Sequence, residues 1–446
     1  MSTLTPNIEP PVTPEEKAPA ADNRWEGAWR DILGGGLVRS VLAVVLALFI
    51  GSLLVVIVNE DVQAAAGYFF SRPSDLLSAA WETIAGAFRA MWEGAVFSPR
   101  GGFKPLLSTL SWASPLIAAG LGLAVGFKAG LFNIGGRGQM LIAALFVGFV
   151  GSNLDMPFGL HLAVAVLGGI VGGALWASVV GVLKARTGAH EVIVTIMLNF
   201  VALYLVTWLL KTPVFQAENA GGNAKAKAID STAVFPTLIP GTDLDIGFVL
   251  ALIAALVYWW LMERSTTGFR IRAVGLNPHA ARTAGINIGR TYVVTLAASG
   301  AFIGLAGAMQ VLGKVPAGWT PTVDAGIGFD AITVALLGAN SAVGIVFAGL
   351  LFGALKAGSF PMQIAEGIPI DIVAVIQGLI VLFIAAPPLV RAIFRLPQPT
   401  RRGLRDRLRR PAPQTPAAQI QSASIDQSAS TEQGASIDQS ASTEEK

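Results

Sequence analysis

Long apolar runs recur along most of the chain and define its architecture. Runs able to cross a hydrocarbon core of about 30 Å lie at 40–58, 106–127, 160–183, 192–210, 246–262, 292–312 and 370–386. In lipid, a helix satisfies all of its backbone hydrogen bonds within one segment. The pattern therefore predicts an all-α polytopic membrane protein.

Three further apolar runs are too short to cross a bilayer alone. The run at 140–151 falls short of the roughly 20 residues of a crossing helix, so we expect it to borrow from 134–139 or to be partly broken. The runs at 331–338 and 343–355 are expected to form one down-and-up hairpin about 339–341, with its exposed backbone covered by protein or by a water-filled cavity. Together the runs predict about 8–10 transmembrane segments.

Composition supports lipid as the solvent for this fold. Hydrophobic residues make up 53% of the chain and charged residues only 13%, whereas a soluble domain carries about 25% charged residues. A water-soluble fold would need polar surface that this composition lacks. The chain has no cysteine, which excludes disulfides, iron–sulfur clusters and thiol catalysis within it.

Both ends of the chain differ from its apolar middle. Residues 1–36 are rich in proline, alanine and acidic residues and are predicted to be a disordered cytoplasmic tail. Residues 387–446 begin with an arginine-rich stretch and end in low complexity, where the sequence ASIDQSASTE of 423–432 recurs at 435–444. The transmembrane domain is predicted to span 37–386.

Arginine and lysine predict the orientation, because short basic loops stay in the cytoplasm. One cluster of arginines lies in the loop at 263–291, and another follows residue 386. Alternation of the spans then places 59–104 and 211–245 on the outer side. We expect a multi-pass protein of the bacterial inner membrane with both termini in the cytoplasm.

The cytoplasmic loop at 263–291 contains a helix signal. Asn277 suits an N-cap, Pro278 the first helical position and Gly285 a terminator. The segment is long for a connector between helices, which usually runs about two to eight residues. Its short, basic, alanine-faced helix is suited to docking into a groove on a soluble partner.

Motifs for nucleotide binding, metal binding and catalysis are missing from the sequence. No G-x-x-x-x-G-K-[ST] pattern is present to hold the phosphates of ATP. The histidines His161, His190 and His279 form no metal-ligand cluster with nearby acids, and we expect each at a surface or interface. No catalytic residue and no metal ligand is therefore assigned, and the chain is not expected to be an enzyme.

Polar residues within or beside the spans are candidates for a solute path. Acidic residues are few and lie near segment ends, which disfavours proton-coupled transport. Neutral amides can hydrogen-bond an uncharged solute without fixing a charge in lipid, although interhelical hydrogen bonding explains them equally well. The candidate path residues are Asn133, Glu191, Asn199, Gln310, Asp330, Asn340 and Gln377.

Four passages resemble the permease subunits of bacterial ATP-binding-cassette (ABC) importers, in the branch for ribose-type sugars, branched-chain amino acids and nucleosides. They are GFKAGLFNIGGRGQM at 126–140, HEVIVTIMLNFVALYL at 190–205, FRIRAVGLNPHAARTAGI at 269–286 and GFDAITVALLGANSAVGIVFAGLLFGAL at 328–355. The second passage is most similar to the nucleoside systems. The resemblance implies an ABC importer permease that moves nucleosides or similar small hydrophilic solutes by alternating access.

The resemblance also implies partners and a coupling element. Such a permease works with a separate ABC ATPase that carries ATP and Mg, a second permease subunit and an extracytoplasmic solute-binding lipoprotein. The chain itself is expected to hold no cofactor and to contact membrane lipid but no nucleic acid. The residues identified with the coupling helix that seats in the ATPase are Arg270, Arg272, Gly275, Asn277, Pro278, Ala280, Ala281 and Gly285.

Three alternatives stay open. A sugar or branched-chain amino-acid permease of the same superfamily would use the same motifs. An ATP-independent secondary carrier or channel would move solute without nucleotide. A polytopic enzyme would need polar clusters in the outer loops, where Asp230, Asp243 and Asp245 are the candidates.

Overall fold

The structure is a computed structural model that describes residues 36–394. Most of the predicted N-terminal tail and the basic, repeated C-terminal tail lie outside the described residues. The helices of the described part are α1 (Gly36–Val58), α2 (Glu60–Ala66), α3 (Pro73–Ala95), α4 (Lys104–Lys128), α5 (Gly136–Asn153), α6 (Leu160–Thr187), α7 (Glu191–Leu209), α8 (Gly247–Arg264), α9 (Thr266–Leu276), α10 (Pro278–Thr283), α11 (Ile288–Met309), α12 (Ile327–Leu337), α13 (Ala342–Glu366), α14 (Asp371–Ala385) and α15 (Pro387–Phe394). A π turn, Gln310–Lys314, continues α11.

The long helices have the length and apolarity of membrane spans. Within residues 36–394, seven helices meet this standard, namely α1, α4, α6, α7, α8, α11 with its π turn, and α13. α14 and α15 meet it only as a pair, which is bent by 89°. The predicted class, an all-α polytopic membrane protein, is confirmed. Eight crossing helices would agree with the predicted 8–10 segments, and seven would be one fewer.

The predicted hairpin of two short helices is wrong in one half. α12 is short, with 11 residues, but α13 runs for 25 residues to Glu366, well past the predicted end at 355. The apolar run breaks at Lys356, yet the helix continues because this charge is paired with Asp330 at 2.8 Å. The turn itself lies where expected, with Ala339 and Asn340 both at positive φ.

α5 begins inside the bundle, as the short run at 140–151 suggested. Its first residue is Gly136, and the seven residues between α4 and α5 are not helical. α5 is continuous from Gly136 to Asn153, so the run borrows from 134–139 as the first of the two expectations had it, and the non-helical residues 129–135 before it are here called the first broken segment.

Glycines allow α6 and α11 to pack backbone against backbone. A Cβ on Gly173 would overlap the carbonyl oxygen of Gly300, and a Cβ on Gly304 would overlap that of Gly169. In lipid, such close van der Waals contact replaces the hydrophobic drive that joins helices in water. These four glycines, spaced four apart on each helix, are packing residues.

The bundle has two distinct ends. At one end, the last turn of α4 meets α9, because Gly275 lies against the backbone of Lys128 and Ala129. At the other end, Ser108 near the start of α4 donates a hydrogen bond to Asp243, at 3.2 Å. The arginine-rich loop and the long loop between α7 and α8 therefore lie at opposite ends of α4.

Candidate functional site

The arginine-rich loop folds into two short helices, α9 and α10. Ser265 caps α9, accepting a hydrogen bond from the Gly268 amide at 2.9 Å. Asn277 adopts an extended conformation between the two helices and accepts from the amides of His279 at 3.0 Å and Ala280 at 3.1 Å. The predicted N-cap at Asn277 and helix start at Pro278 are confirmed, whereas α9 was not predicted.

The residues predicted to couple to the ATPase lie on two faces of the loop, one packed against the bundle and one exposed. Gly275 is held between α9 and the end of α4, and Ala281 is only 4% exposed. Arg272 is half-buried and lies 4.0 Å from Glu263. The residues that face solvent are Arg270, Asn277, Ala280 and Gly285, and Pro278 is half-buried.

Two apolar side chains of this loop are unusually exposed. Leu276, the last residue of α9, is 88% exposed, and Phe269 is 60% exposed. A cavity of about 580 Å³ opens beside α9 and the start of α11, and Arg270 and Arg290 line it. Exposed apolar side chains rimmed by charges are typical of a protein-docking surface.

At the centre of the bundle, Asn199 bridges the broken segment between α4 and α5. Its side-chain oxygen accepts from the Gly138 amide at 2.8 Å, and its amide nitrogen donates to the Ile134 carbonyl at 2.9 Å. Thr195, one turn earlier on α7, accepts from the Ile134 amide at 3.3 Å. These side chains satisfy backbone groups that would otherwise be unpaired in lipid.

Asn133, within the same broken segment, is fully buried. It donates to Ser299 in the middle of α11 at 3.0 Å, accepts from the Gly135 amide at 2.9 Å, and exchanges hydrogen bonds with Gln139. Its hydrogen-bonding groups are therefore engaged within the protein.

Glu191 lies at the start of α7 and forms an ion pair with Lys184. It also accepts from the Phe132 amide, at 3.5 Å. Glu191, Asn133 and Asn199 thus hold one broken segment from several sides, which is the interhelical role that the sequence left open for the amides.

A second broken segment, residues 315–326, precedes α12, and its end meets the start of α5; this meeting point is here called the crossing. Asp324, which is 4% exposed, lies 3.4 Å from Arg137 in the first turn of α5. Gly136 at the start of α5 and Gly328 in the first turn of α12 allow the backbones of these two helices to touch. A Cβ on either glycine would overlap the backbone of the other helix. The ion pair and the close contact lock the two broken segments together.

Lys356 lies beside this crossing. Its ammonium group is 2.8 Å from Asp330 on α12 and donates to the Ala325 carbonyl at 3.1 Å. Ala325 has a φ of 46°, in the left-handed region that L-residues rarely adopt. Strained backbone of this kind concentrates at functional sites.

Lys356 also lines a cavity of about 1070 Å³ at the end of the bundle opposite the arginine-rich loop, the end expected to face outside, and this cavity is here called the outer vestibule. Its wall is formed by the end of α3, the start of α4, the loop before α8, Ala325 and the second half of α13. The polar and aromatic side chains that line it include Glu93, Arg100, Lys104, Ser108, Trp112, Asp243 and Lys356.

None of the seven predicted path residues lines the outer vestibule, although Asp330 is paired with Lys356, which does. Gln310 and Gln377 are buried, and the side-chain nitrogen of each lacks a hydrogen-bond partner within the described residues. Asn340 accepts at its carbonyl from the Tyr258 hydroxyl at 2.8 Å. Their part in the solute path stays a prediction.

Sequence reasoning missed the charged residues of this region. Lys356 was taken to lie just beyond an apolar run, although its distance from Glu366 places it well inside α13. Arg137 was not among the candidate site residues. Asp324 and Trp112 were not considered. The signal available for Lys356 was that the residues after it are still compatible with a helix.

His161 and Asp245 are both buried and have structural roles. His161, expected at a surface or interface, is fully buried and lies within hydrogen-bond distance of Thr232 and the Val150 carbonyl. Asp245 is 7% exposed and accepts from the Gly247 amide at 2.7 Å, at the start of α8. Burial raises the pKa of Asp245, while the Gly247 hydrogen bond and the charge of Lys314 oppose this rise.

A bundle of apolar helices with non-helical central segments and a capped, arginine-rich loop at one end fits the predicted class of membrane permease. Residues 106–385 match the family described as "Branched-chain amino acid transport system / permease component". The match covers more than half of the chain, so the chain belongs to this family of permease components. α1, α2 and α3 precede the matched region.

Three related proteins carry ABC transporter permease names. The guanosine permease protein NupP of Bacillus subtilis is 36% identical over 70% of this chain and 88% of its own length. The nucleoside permease protein NupB of Lactococcus lactis subsp. cremoris is 37% identical over 68% of this chain and 85% of its own length. The glucose permease protein TsgB13 of Haloferax volcanii is 33% identical over 77% of this chain and 86% of its own length. No solved structure matches this chain.

Proposed function

We propose that this chain is the membrane-spanning permease subunit of an ATP-driven importer for nucleosides, energised by a separate ATPase. The observation that carries the coupling claim is the capped loop of α9 and α10, which presents an almost fully exposed Leu276 beside the Asn277 cap. The nucleoside claim rests on the relatives named for guanosine and nucleosides. The remaining partners are a second permease subunit and a solute-binding lipoprotein on the outer side.

The loop suits the transmission of movement because it is firmly joined to the bundle. Ile271 and Val274 of α9 are fully buried, and Gly275 of the same helix lies against the end of α4. A displacement of α10 by a partner would therefore be passed to α4 through packed backbone. ATP binding to the partner can shift the permease between two states only if the partner contacts these states differently.

The orientation of the proposal follows from charge. Lys128, Arg264 and the arginines of α9 and α10 lie at one end of the bundle, which is the cytoplasmic end by the positive-inside rule. Because α14 returns the chain toward that end, both termini are assigned to the cytoplasm. The ATP and Mg are assigned to the partner ATPase, and none to this chain.

The test compares outward-facing and inward-facing positions of the loop. Full-length tagged protein is purified from its native membranes with whatever ATPase accompanies it, and guanosine uptake is measured in proteoliposomes with and without ATP. Ala280→Glu and Leu276→Glu place a charge on the exposed face, and Ala185→Glu places the same charge at the exposed cytoplasmic end of α6. Burying a leucine in a partner groove contributes about 1.5–3 kcal/mol, so we expect ATPase recovery and ATP-dependent uptake to fall at least about tenfold in the first two variants only.

Two results would sink the proposal. Guanosine uptake by the purified chain without nucleotide would assign it to the carrier or channel class. Uptake that glucose blocks and nucleosides do not would assign it to sugar transport, the second candidate, which the relative named for glucose favours. Gly275→Glu is unsuitable as a probe of docking, because it would disrupt packing against α4 in either case.

A further inference from the structure

The outer vestibule contains a cation far from either end of its helix. Lys356 lies ten residues before the end of the 25-residue α13, which corresponds to about 15 Å along a helix, or half of a hydrocarbon core. A charge at that depth is costly and marks a functional site by default. Because Lys356 lines the vestibule, the exposed 19% of its side chain faces the cavity.

The ammonium group of Lys356 has a donor to spare. It carries three hydrogens, and two partners are present, the Asp330 carboxylate at 2.8 Å and the Ala325 carbonyl at 3.1 Å. These two contacts fix the position of the nitrogen atom beside the vestibule. The third hydrogen remains for a solute.

Trp112 supplies an aromatic wall to the same cavity. Its side chain is half-buried, and the Lys314 ammonium lies 5.0 Å from its ring centroid. Aromatic side chains in polar grooves stack on nucleobases regardless of base identity. Glu93 and Asp243 line the vestibule as well, and their carboxylates can accept hydrogen bonds from sugar hydroxyls.

We propose that Trp112 and Lys356 form a nucleobase subsite of the vestibule that prefers oxopurines. The indole stacks on the base, and the ammonium group donates its third hydrogen to the carbonyl oxygen of the base edge that lysine contacts when it selects guanine in nucleic acids. Adenine presents an amino donor in place of that oxygen, so only its ring nitrogen could accept from the ammonium group. The inference rests on the proposed nucleoside function and names the solute class within it.

A purely structural role for Lys356 makes a different prediction. If the lysine only neutralises Asp330 and holds the Ala325 carbonyl, its loss would reduce the uptake of every solute to the same extent. The proposed subsite instead predicts that loss of Lys356 reduces guanosine uptake more than adenosine uptake. The ratio of guanosine uptake to adenosine uptake therefore separates the two roles.

The first experiment measures that ratio in the complete importer. The double variant Lys356→Met with Asp330→Asn removes the cation without leaving an unpaired acid, and Lys211→Met, in the outer loop away from the vestibule, is the matched control. One lost charge-assisted base contact should lower guanosine and inosine uptake about tenfold and adenosine uptake less than about twofold. Trp112→Leu should lower the uptake of all three nucleosides about tenfold, and Trp112→Phe much less.

Equal losses for guanosine and adenosine in the double variant would overturn the subsite while leaving the nucleoside function intact. Absence of nucleoside uptake by the wild-type importer would overturn the proposed function, and this inference with it. Unchanged melting temperature in each variant excludes misfolding as the cause of a loss.

The second experiment uses the absence of native cysteines. Ala357→Cys adds a thiol to the vestibule wall, and Phe347→Cys adds one to the same helix at a position that is 68% exposed but does not line the vestibule. A charged, membrane-impermeant maleimide applied from outside should label only the first variant, and guanosine should slow that labelling more than adenosine does. Labelling that neither nucleoside slows would contradict the subsite.

Discussion

The arginine-rich loop of α9 and α10 and the crossing of the two broken segments are built in opposite ways. α9 and α10 form from about twenty consecutive residues, stabilised by local caps, and they expose arginines and Leu276 to water. The crossing is held by Asn133 and Asn199 on the side of α5 and by Asp324 on the side of α12, residues that are far apart in the chain and almost fully buried. One region offers its polar groups to a partner, and the other uses them internally.

This difference separates residues suited to recognise a partner from residues that stabilise the helix bundle. In the crossing, amides and charges compensate backbone that lipid cannot hydrate, so their removal should cost stability first. In the loop, the caps hold only one short helix, so their removal should cost little global stability and act locally. The vestibule lies between these extremes, because Lys356 is held by two contacts and still faces a cavity.

The largest expected effect comes from breaking the ion pair at the crossing. Arg137→Met leaves the Asp324 carboxylate, 4% exposed, without its partner. We expect a loss of about 3–5 kcal/mol in the free energy of unfolding, measured by denaturant titration in detergent. Arg137→Met combined with Asp324→Asn should recover most of it, and Arg186→Met, at an exposed end of α6, should have no effect. Equal instability of the single and double variants would argue against the pair.

A smaller loss is expected when the bridge across the first broken segment is removed. Asn199→Leu leaves the Gly138 amide and the Ile134 carbonyl without a partner. Two unsatisfied buried groups should cost about 2–3 kcal/mol in the same titration. The control is Asn219→Leu, in the exposed outer loop. If the two variants unfold alike, the broken segment does not depend on Asn199.

The smallest effect is expected in the loop. Asn277→Ala removes the acceptor for the His279 and Ala280 amides, and loss of an N-cap costs about 1 kcal/mol. Hydrogen exchange at residues 279–283 should accelerate correspondingly, while global unfolding stays near wild type. Asn277→Asp keeps an acceptor and should preserve protection. Acceleration that spreads into α11 would mean that the loop is not a local unit.

The sequence predicted the loop better than the crossing, and locality explains why. Asn277, Pro278 and Gly285 act on their immediate neighbours, so their spacing alone predicts α10. α9 was missed because its glycines and threonines favour no helix, and its formation depends on the Ser265 cap and on burial of Ile271.

The candidate path residues show the limit of composition. Amides such as Asn133 and Asn199 were identified as interior polar groups, and both are buried. Their partners lie on other helices, so the choice between a solute path and interhelical hydrogen bonding depended on which helices meet. Lys356 was missed because hydropathy treats a charge as the end of a span, whereas Asp330 on a neighbouring helix allows the span to continue.

The sequence by itself determined the membrane class, the resemblance to importer permeases and the capped helix of the loop, because hydropathy and capping act over short stretches of chain. Tertiary structure alone decided that two broken segments cross through Arg137 and Asp324, and that Lys356 and Trp112 face one outer vestibule. The physical reason is that a buried charge or amide is stable only with its partner, and helix packing selects that partner.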